Sequence, residues 1–498
     1  MIPRSIATIA AAVGGTHQGP GDTLVGPDVV IDSRRITPGA LFVALPGEQV
    51  DGHRFVAAAL EAGAAAALVA EIPDGVDPAR CVLVPAGSDG HGTRDALGRL
   101  AHSIVTGAED LQVVGITGSQ GKTSTKDLLA AILEDAAPTI APQGSHNNEI
   151  GVPWTATQVD ADTRFLVSEM GARGIGHIAY LCGLTPPQVA VVLNVGQAHL
   201  GEFGSVEAIA RAKGELVEAV DQDGWAVLNG TDPLTREMAG RTRGRVAWFS
   251  GAGRPDLPAE LVVWADDVTG TDLDRHTFTL VVETTAAGAA EPQIERHPVD
   301  LQVSGRHQVA NAAAAATAAI ALGIEPADAA AALSRAGARS RWRMEVHRRS
   351  DGLVVCNDAY NANPDSMLAA CHSLIAIGRR ERADHPDSRT VAVLGDMLEL
   401  GEAAAGEHAA IGRALEALGV DILIAVGNHA PDLIAGATHD DRSQVRTQRA
   451  DTAEQAAELA IGLVARHDVV LVKASRSMAL EQVADRLLGA LDTKGETE

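Results

Sequence analysis

One pattern recurs between residues 112 and 335: a short apolar run is followed by a loop and then by a helical stretch. Its first copy reads VVGITGSQGKTSTKDLLAAIL (113–133), and RFLVSEMG and QVAVVLNVG begin the next two. Strands that alternate with helices are typical of a parallel sheet that helices cover on both faces. Late in this region, LVVWADDV and HTFTLVVET predict antiparallel strands. The middle of the chain is therefore predicted to be an α/β domain.

Related patterns at the two ends predict two further domains. Near the start, VVIDSRR and ALFVAL predict strands, after a first helix that stops at Gly14-Gly15. Near the end, MEVHRRSDGLVVCND predicts a hairpin, and three later strand–helix units predict a second doubly wound, Rossmann-like sheet. A length of 498 residues fits three domains of roughly 100–200 residues each. We place the domains at 1–108, 109–337 and 338–498.

Composition limits the classes of function. The formal net charge is −25, whereas a nucleic-acid-binding protein needs a basic surface, so no nucleic-acid partner is expected. The most apolar later segment, NAAAAATAAIAL (311–322), is too short to cross a bilayer, so no membrane insertion is expected. None of the four cysteines forms a C-x-x-C pair, which fits a reducing compartment and predicts a cytoplasmic protein.

The loop GSQGKTS (118–124) lies between a predicted strand and a predicted helix. It is shorter than the common phosphate-binding loop, because only two residues separate Gly118 from Gly121-Lys122-Thr123. Glycines let backbone N–H groups approach a phosphate, and the helix N-terminus adds partial positive charge. Lys122 would reach the β- and γ-phosphates of a bound nucleotide, and Thr123 would bind Mg²⁺. The alternative is a glycine-rich turn that only caps the helix.

Three later residues could complete a metal site. Glu169 follows the strand RFLVS, His199 follows the strand VAVVLNVG, and Lys213 lies in the helix AIARAKGELVEAV. The carboxyl ends of parallel strands are where open α/β sheets bind ligands. Each residue also has an ordinary alternative, since a strand-end Glu or His is often a loop hydrogen bonder and an isolated helical Lys is usually a solvated charge. A His ligand would be unusual for Mg²⁺, which prefers oxygen.

Five segments, together with the compact loop, resemble the signatures of the Mur ligases, and the resemblance covers nearly the whole chain. The segments are SHNNEIGVP (145–153), EMGARGIGHI (169–178), NVGQAHLGEFGSVEAIARAKGE (194–215), DAYNANPDSM (358–367) and VLGDMLELGE (393–402). The stretch DSRRITPGALFVALPGEQVDGHRF (32–55) is similar to the UDP-binding domain of these ligases. The chain lacks the D-N-P-R motif of the diaminopimelate-adding member. This favours the member that adds D-alanyl-D-alanine.

The resemblance implies an ATP-dependent, ADP-forming ligase with a UDP-binding domain, a central parallel-sheet ATPase domain and a C-terminal Rossmann-like domain. The enzyme would join D-alanyl-D-alanine to UDP-N-acetylmuramoyl-tripeptide through an acyl phosphate, and the pentapeptide product would serve peptidoglycan synthesis, cell shape and cell division. ATP and Mg²⁺ are the implied cofactors, and Lys213 is implied to be carbamylated. We expect a monomer.

The resemblance also implies roles residue by residue. The catalytic residues would be Lys122, Glu169, His199 and Lys213, of which the last three would join Thr123 at the metal. ATP would contact Gly118, Ser119, Gly121, Lys122, Thr123, Ser124, Asn311, Arg343 and Asp358. The substrates would contact Ser33, Arg34, Asn147, Asn148, Asn361, Lys473 and Ser475. The chain departs from the family pattern at Gln308, where Asn is usual, and at Ala474, where Gly is usual.

Two alternatives remain open. Another ligase of the superfamily, such as a folylpolyglutamate synthase, would share the loop, although those enzymes lack the N-terminal UDP-binding module. A protein that hydrolyses ATP only as a switch would also carry such a loop. Within the first interpretation, the sequence leaves open whether the third residue of the peptide is meso-diaminopimelate or L-lysine.

Overall fold

The structure, a computed structural model, describes residues 1–47, 50–87, 90–196, 200–286, 288–289, 291–440 and 442–489. In this part of the chain the strands form four sheets, of two, five, nine and six strands. The three larger sheets follow one another along the sequence. Helices pack on both faces of the two largest, so the predicted α/β fold is confirmed.

The N-terminal region is built from short strands. Its elements are β1 (Arg4–Ser5), α1 (Ile6–Val13), β2 (Thr16–His17), β3 (Leu24–Val25), β4 (Val29–Val30), β5 (Leu41–Val43), α2 (Val56–Glu61), β6 (Ala66–Val69), β7 (Cys81–Leu83) and α3 (Gly92–Thr106). Strands β4 to β7 are parallel neighbours in chain order, and β2 pairs antiparallel with β7. Helix α1 ends at Gly14 in the left-handed conformation (φ 67°), as predicted. The predicted strand VVIDSRR is shorter, because Asp32 caps a 3₁₀ turn that begins at Ser33.

The central sheet has the order β16-β15-β14-β13-β12-β11-β8-β10-β9. Its elements are β8 (Gln112–Thr117), α4 (Lys122–Ala136), β9 (Thr139–Ile140), α5 (Gly151–Ala156), β10 (Phe165–Glu169), α6 (His177–Leu184), β11 (Val189–Val192), α7 (Leu200–Phe203), α8 (Val206–Glu218), β12 (Trp225–Asn229), α9 (Pro233–Glu237), β13 (Arg245–Ser250), β14 (Leu261–Gly270), β15 (His276–Thr284), β16 (Gln293–Asp300), α10 (Gln308–Ala321) and α11 (Pro326–Arg335). Strands β8 to β14 are mutually parallel, and β15 and β16 pair antiparallel. The parallel sheet was predicted, and so was the antiparallel pair of LVVWADDV (β14) with HTFTLVVET (β15), although β14 also pairs parallel with β13. Strand β16 was not predicted.

Side chains of the central strands alternate between two cores. Val191 and Val227 face the core beneath α4 and α10, whereas Ala190 and Leu228 face the core beneath α6 and α8. Helix α10 contains a run of buried alanines, whose small side chains let it pack closely on α4 and on the sheet. Because β8, β10 and β11 run parallel, the loops that follow them come together at one edge.

The C-terminal sheet has the order β17-β18-β22-β19-β20-β21, and its strands are parallel except for β17. Its elements are β17 (Glu345–Arg348), β18 (Val354–Asn357), α12 (Pro364–Asp384), β19 (Thr390–Leu394), α13 (Ala404–Leu418), β20 (Ile422–Val426), α14 (Ala430–Ala437), β21 (Arg446–Ala450), α15 (Ala453–Leu463), β22 (Val469–Lys473) and α16 (Glu481–Gly489). The predicted hairpin joins β17 to β18 and turns at Gly352 (φ 89°). The predicted domain boundaries at 108 and 337 fall in the connections after α3 and α11, and they stay predictions.

All four cysteines, Cys81, Cys182, Cys356 and Cys371, are buried free thiols. Burial raises the pKa of Cys81 to about 11 and that of Cys182 to about 12. Burial also raises the pKa of Cys371 to about 12, and that of Cys356 further still. In the described part of the chain, no helix is long and apolar enough to span a membrane.

Candidate active site

The loop between β8 and α4 is shaped by two glycines. Gly121 is the N-cap residue of α4 with φ 81°, and a Cβ on it would lie 2.5 Å from the Oδ1 of Asn311. A Cβ on Gly118 would lie 2.9 Å from the Cβ of Leu193. Since Gly121 has no side chain to cap α4, the first N–H groups of the helix remain available to an anion.

The segment after β11 holds this loop in place. The carbonyl of Asn194 accepts a hydrogen bond from the Ser119 N–H at 3.2 Å, and the Asn194 Oδ1 accepts from the Gln120 N–H at 3.1 Å. Lys122 Nζ donates to the Gly118 carbonyl at 2.7 Å, which keeps the ammonium group beside the helix terminus. The loop is therefore preformed.

Glu169, the last residue of β10, accepts hydrogen bonds from three polar side chains beside the loop. Its Oε2 accepts from the Thr123 hydroxyl at 2.9 Å, and its Oε1 accepts from Ser145 Oγ at 2.6 Å and from Asn147 Nδ2 at 2.8 Å. Burial by itself would raise the pKa of Glu169, but the charge of Lys122 and the hydrogen bonds lower it below its ordinary value. A carboxylate next to a threonine hydroxyl offers the oxygen ligands that Mg²⁺ prefers.

The buried Lys213 and the partly buried Lys122 lie near this carboxylate. Lys213, on α8, is 5% exposed, and no described residue forms a hydrogen bond or ion pair with its Nζ. Burial, and then the charge of Lys122, lower the pKa of Lys213 well below its ordinary value. Burial also lowers the pKa of Lys122, although Glu169 opposes that effect. Lys213 thus loses its proton far more readily than a surface lysine does.

The C-terminal sheet supplies the opposite wall. Lys473, at the end of β22, donates to the Asp358 carboxylate at 2.6 Å and to the Asn361 carbonyl at 2.8 Å. The Cζ of Arg343 lies 4.1 Å from the centre of the Tyr360 ring. The Arg343 Nε is buried with no hydrogen-bond partner in the described part of the chain. Arg343 therefore approaches the cleft with an unused donor.

The two walls enclose a cavity of about 290 Å³. Its lining includes the phosphate loop, Glu169 and Lys213 on one side, and Asp358 and Lys473 on the other. Such a set can hold polyphosphate, position a metal ion and stabilise negative charge away from bulk water. These are the requirements of phosphoryl transfer.

Known proteins resemble this chain over almost its whole length. Models described as "Mur ligase family, catalytic domain", "Mur ligase middle domain" and "Mur ligase, glutamate ligase domain" match residues 28–101, 116–319 and 342–476. The UDP-N-acetylmuramoyl-tripeptide--D-alanyl-D-alanine ligase of Mycobacterium leprae is 41% identical, and that of Escherichia coli is 33% identical. Both alignments cover 98% of this chain and 99% of the relative. The chain belongs to the Mur ligase family.

Solved Mur ligases have the same architecture. The crystal structure of MurF from Acinetobacter baumannii superposes with a TM-score of 0.81 at 30% identity and covers 98% of this chain and 99% of that one. MurF ligase from Thermotoga maritima in complex with ADP superposes with a TM-score of 0.72 at 27% identity, covering 94% and 98%. The three-domain Mur ligase architecture predicted from the sequence is thus confirmed, and a nucleotide-bound neighbour agrees with use of ATP.

In this Mur ligase the structure gathers most of the predicted site residues at the cavity. Those that line it are Ser119, Gly121, Lys122, Thr123, Ser124, Asn147, Asn148, Glu169, Lys213, Arg343, Asp358, Asn361 and Lys473. Gly118 lies behind the loop, with its carbonyl on Lys122. Asn311 is buried next to Gly121 and donates to Gln308 Oε1 at 2.9 Å. The individual roles stay predictions.

The remaining predicted residues lie elsewhere. His199 falls outside the described residues. Ser33 and Arg34 lie in the turn after β4, where the highly exposed Arg34 pairs with Asp32 at 2.8 Å. Ser475 lies beyond the end of β22, where its Oγ accepts from the Leu398 N–H at 3.0 Å. None of these positions is tested by the geometry of the cavity.

Several residues that line the cavity were not singled out from the sequence, and Ser145, Gln308 and Tyr360 are three of them. Ser145 opens the SHNNEIGVP segment, and like Asn147 in that segment it donates to Glu169, a contact that the sequence does not indicate. Gln308 was set aside because it departs from the family pattern, yet its side chain both holds Asn311 and lies 3.5 Å from Ser124 Oγ. Tyr360 supports Arg343 by ring stacking, which its sequence context does not indicate.

Proposed function

We propose that this Mur ligase joins D-alanyl-D-alanine to UDP-N-acetylmuramoyl-tripeptide with ATP and Mg²⁺. The relatives reported above carry the name of this activity and align from end to end. The observation that carries the proposal is the shared cavity, in which the phosphate loop, Glu169 and Lys213 face Asp358 and Lys473.

The residues present suit ATP and Mg²⁺. The uncapped first turn of α4 would bind the phosphates, with Lys122 moving from the Gly118 carbonyl to a phosphate oxygen. The Thr123 hydroxyl and the Glu169 carboxylate, 2.9 Å apart, would hold the metal, and His199 is proposed to join Glu169 at a second metal position. When bound, Mg²⁺ would neutralise the charge that develops on the phosphate oxygens. The free Nε of Arg343 would serve the nucleotide from the other wall.

The reaction would proceed in two steps. The terminal carboxylate of the tripeptide substrate attacks the γ-phosphate in line, and the bond to the β-phosphate oxygen breaks to leave ADP. The amine of D-alanyl-D-alanine then attacks the acyl carbon of the acyl phosphate and expels phosphate. Lys122 would stabilise the negative charge that develops on the phosphate oxygens in the first step. Asn147 and Asn148 would position the tripeptide, and Lys473 with Ser475 would lie near the dipeptide.

Lys213 is proposed to react with CO₂. Its buried amine has no partner among the described residues, and a neutral amine is what attacks CO₂. The lone pair of the neutral amine forms a bond to the carbon of CO₂, one C=O electron pair moves onto oxygen, and the nitrogen releases one proton. The product is a carbamate anion. That anion would suit a site that already contains Lys122 and would bind metal ions.

The C-terminal sheet would close over the nucleotide to exclude water. Asp358 and Lys473 come from that sheet, and Arg343 from the segment that leads into it, yet all three line the cavity with the phosphate loop. An acyl phosphate exposed to water would hydrolyse, so closure protects the intermediate.

Phosphate release tests the proposal. It should require ATP, Mg²⁺, UDP-N-acetylmuramoyl-tripeptide and D-alanyl-D-alanine together, and mass spectrometry should find the pentapeptide. Release with glutamate and a folate in place of these substrates would favour the folylpolyglutamate synthase alternative. Steady hydrolysis with ATP and Mg²⁺ alone would favour the switch. Parallel assays with the two tripeptides would settle which third residue the enzyme accepts.

A further inference from the structure

Three metal-ligating side chains converge at the edge of the C-terminal sheet that lies opposite the catalytic cavity. Glu381, His385 and His467 each offer one ligand atom, and these atoms all lie within 4.8 Å of one another. Glu381 is buried, His467 is partly buried and His385 is exposed. His467 precedes β22, whereas Lys473 ends β22 at the cavity. The cluster and the cavity are therefore separated by the length of that strand.

The backbone fixes the spacing of the cluster. Glu381 and His385 are four residues apart at the end of α12, so they project from the same face of the helix. His467 reaches them from a loop, and its ring stacks on that of His385 with centroids 3.5 Å apart and planes 18° apart. An imidazole nitrogen binds a metal in the plane of its ring, so the exposed His385 ring would turn out of this stack when both nitrogens bind one ion. Ser388 joins the two histidines, because its N–H donates to the His385 carbonyl at 3.0 Å and its Oγ donates to the His467 carbonyl at 2.7 Å.

The position of His467 is strained and specific. Its φ is 65°, a conformation that side chains other than glycine seldom adopt. A Cβ on Gly352 would lie 2.2 Å from His467 Nδ1, so only a glycine at the hairpin turn leaves room for the ring. The Nδ1 is buried and has no hydrogen-bond partner in the described part of the chain. A buried nitrogen without a partner is uncommon, because its desolvation is uncompensated.

We propose that Glu381, His385 and His467 form a binding site for a divalent transition-metal ion, with Zn²⁺ as the representative. Two imidazoles and one carboxylate are a donor set that Zn²⁺ takes, with water in the remaining position. Mg²⁺ prefers oxygen ligands, so this site would not compete for the metal of the ligase reaction. The cluster lies at the C-terminus of a 21-residue helix, where the helix dipole favours a cation.

Arg348 is the protein's own cation at this position. It donates to both carboxylate oxygens of Glu381, at 2.6 and 3.0 Å, and it also lies 3.4 Å from Asp272. A carboxylate oxygen has two lone pairs, so Glu381 can accept from Arg348 and still bind a metal through one oxygen. Arg348 would nevertheless weaken metal binding by its charge.

Helix α12 links the metal site to the cavity mechanically. Its N-terminal residues Ser366 and Ala370 line the cavity, and its C-terminal turn carries Glu381 and His385. A bound ion would fasten this far end of α12 to the loop before β22. The site does not depend on the proposed ligase reaction.

Calorimetric titration of the full-length, chelator-treated protein with Zn²⁺ tests the site. Millimolar Mg²⁺ is present throughout so that the cavity ligands are occupied. We expect saturable binding, and we expect His385→Ala and His467→Asn each to weaken it at least about tenfold, since each removes one ligand of three. Asn is chosen at 467 because it tolerates positive φ. His372→Ala, an exposed histidine on the same helix, is the matched control and should bind as the native chain does.

A spectrum and a fourth variant sharpen the result. Co²⁺ in place of Zn²⁺ should give d–d absorption bands that disappear in His385→Ala. Arg348→Met should bind Zn²⁺ several-fold more tightly, because it leaves the buried Glu381 carboxylate without its cation. Absence of binding in the native chain, or equal affinity in the two histidine variants and the control, would overturn the proposal. Unchanged affinity in a folded Arg348→Met protein would overturn the assignment of Glu381.

Discussion

The two walls of the cavity each contain a buried lysine, and these two lysines differ in whether they are paired. On the C-terminal wall, Lys473 is 2% exposed but pairs with Asp358 at 2.6 Å and with a carbonyl at 2.8 Å. On the central wall, Lys213 is 5% exposed and has no partner among the described residues. A buried charge destabilises a fold unless it is paired, so the central wall keeps a site that only a bound or added group completes.

The helix termini at the cavity differ in the same way. Helix α12 begins at a capping box, in which Asn363 Oδ1 accepts from the Ser366 N–H at 2.9 Å and Ser366 Oγ accepts from the Asn363 N–H at 3.1 Å. Helix α4 begins at Gly121, which has no capping side chain. On the C-terminal wall, Lys473 and the start of α12 are satisfied without ligand, although the Nε of Arg343 is not. The central wall leaves the first N–H groups of α4 and the amine of Lys213 for a ligand. We therefore expect the reaction to take place where buried polar groups lack hydrogen-bond partners in the described part of the chain.

The largest effect is expected from Lys213→Met. It removes the group that would become the carbamate, so kcat should fall by about 10²- to 10³-fold, as for loss of one preorganised electrostatic group. The same change removes a buried amine whose charged form has no partner among the described residues, so the free energy of unfolding should rise by about 1–3 kcal/mol. Steady-state phosphate release and urea unfolding measure the two effects. Short carboxylates should partly restore activity to Lys213→Ala.

Arg211→Met is the matched control for that experiment, since Arg211 is an exposed cation on the same helix. It should change neither kcat nor stability appreciably. Full activity in Lys213→Met would end the carbamate proposal. A large loss of stability in the same variant would show that Lys213 has a structural partner. The difference in pairing between Lys213 and Lys473 would then not hold.

Lys473→Met should have the opposite effect on stability. It leaves the partly buried Asp358 carboxylate without its cation, so the free energy of unfolding should fall by about 1–3 kcal/mol. The double variant Lys473→Met/Asp358→Asn should regain part of this loss, because the unpaired charge is gone. Urea unfolding of the native chain, both single variants and the double variant gives the coupling energy. Additive effects of the two changes would mean that the pair at 2.6 Å contributes nothing.

The pH dependence of stability should also reveal the buried amine of Lys213. The lowered pKa of Lys213 means that the unfolded chain binds this proton more tightly than the folded chain does, at pH values between the lowered pKa and 10.5. Stability from this residue therefore rises with pH through that window, by at most about 1.4 kcal/mol per unit. In CO₂-free buffer, the excess stability of Lys213→Met over the native chain should shrink between about pH 7 and pH 10. A constant difference would contradict a buried, titrating amine.

The smallest effect is expected from Asn363→Ala. Loss of the cap of α12 should lower the free energy of unfolding by about 1 kcal/mol, measured as a shift in the melting temperature. Thr452→Ala removes the cap of α15, another helix that packs on the C-terminal sheet, and it is a comparable change outside the cavity lining. Only Asn363→Ala should also change the KM for substrates, since Asn363 lines the cavity. If the KM values of Asn363→Ala equalled those of the native chain, Asn363 would have no part in substrate binding.

Local features of the fold and the loop could be predicted from the sequence, because they depend on neighbouring residues. Gly121-Lys122-Thr123 are contiguous and follow an apolar run, so the sequence alone indicates a strand, a phosphate loop and a helix. Glu169 could be assigned to the same sheet edge for the reason that parallel strands end together. Its bond to Thr123, 46 residues away, depends on the register of β8 and β10.

What could not be predicted depends on packing and on competing local bonds. An isolated helical lysine is usually solvated, and Lys213 is buried only because α8 packs its apolar face on the central sheet. The strand predicted at VVIDSRR is cut short by the Asp32 cap, a local hydrogen bond that competes with strand pairing. The pair of Lys473 with Asp358 joins residues 115 positions apart, and neither segment indicates the other.

Because its four cysteines are buried, this chain can be labelled selectively at cysteines introduced on its surface. Their thiols are protonated at neutral pH, and maleimides react with the thiolate form, so native Cys81, Cys182, Cys356 and Cys371 should resist modification. A cysteine introduced at exposed Arg211 and another at exposed Glu458 would react without prior removal of the native ones. Fluorophores at these two positions would report the separation of the two walls of the cavity as nucleotide is added.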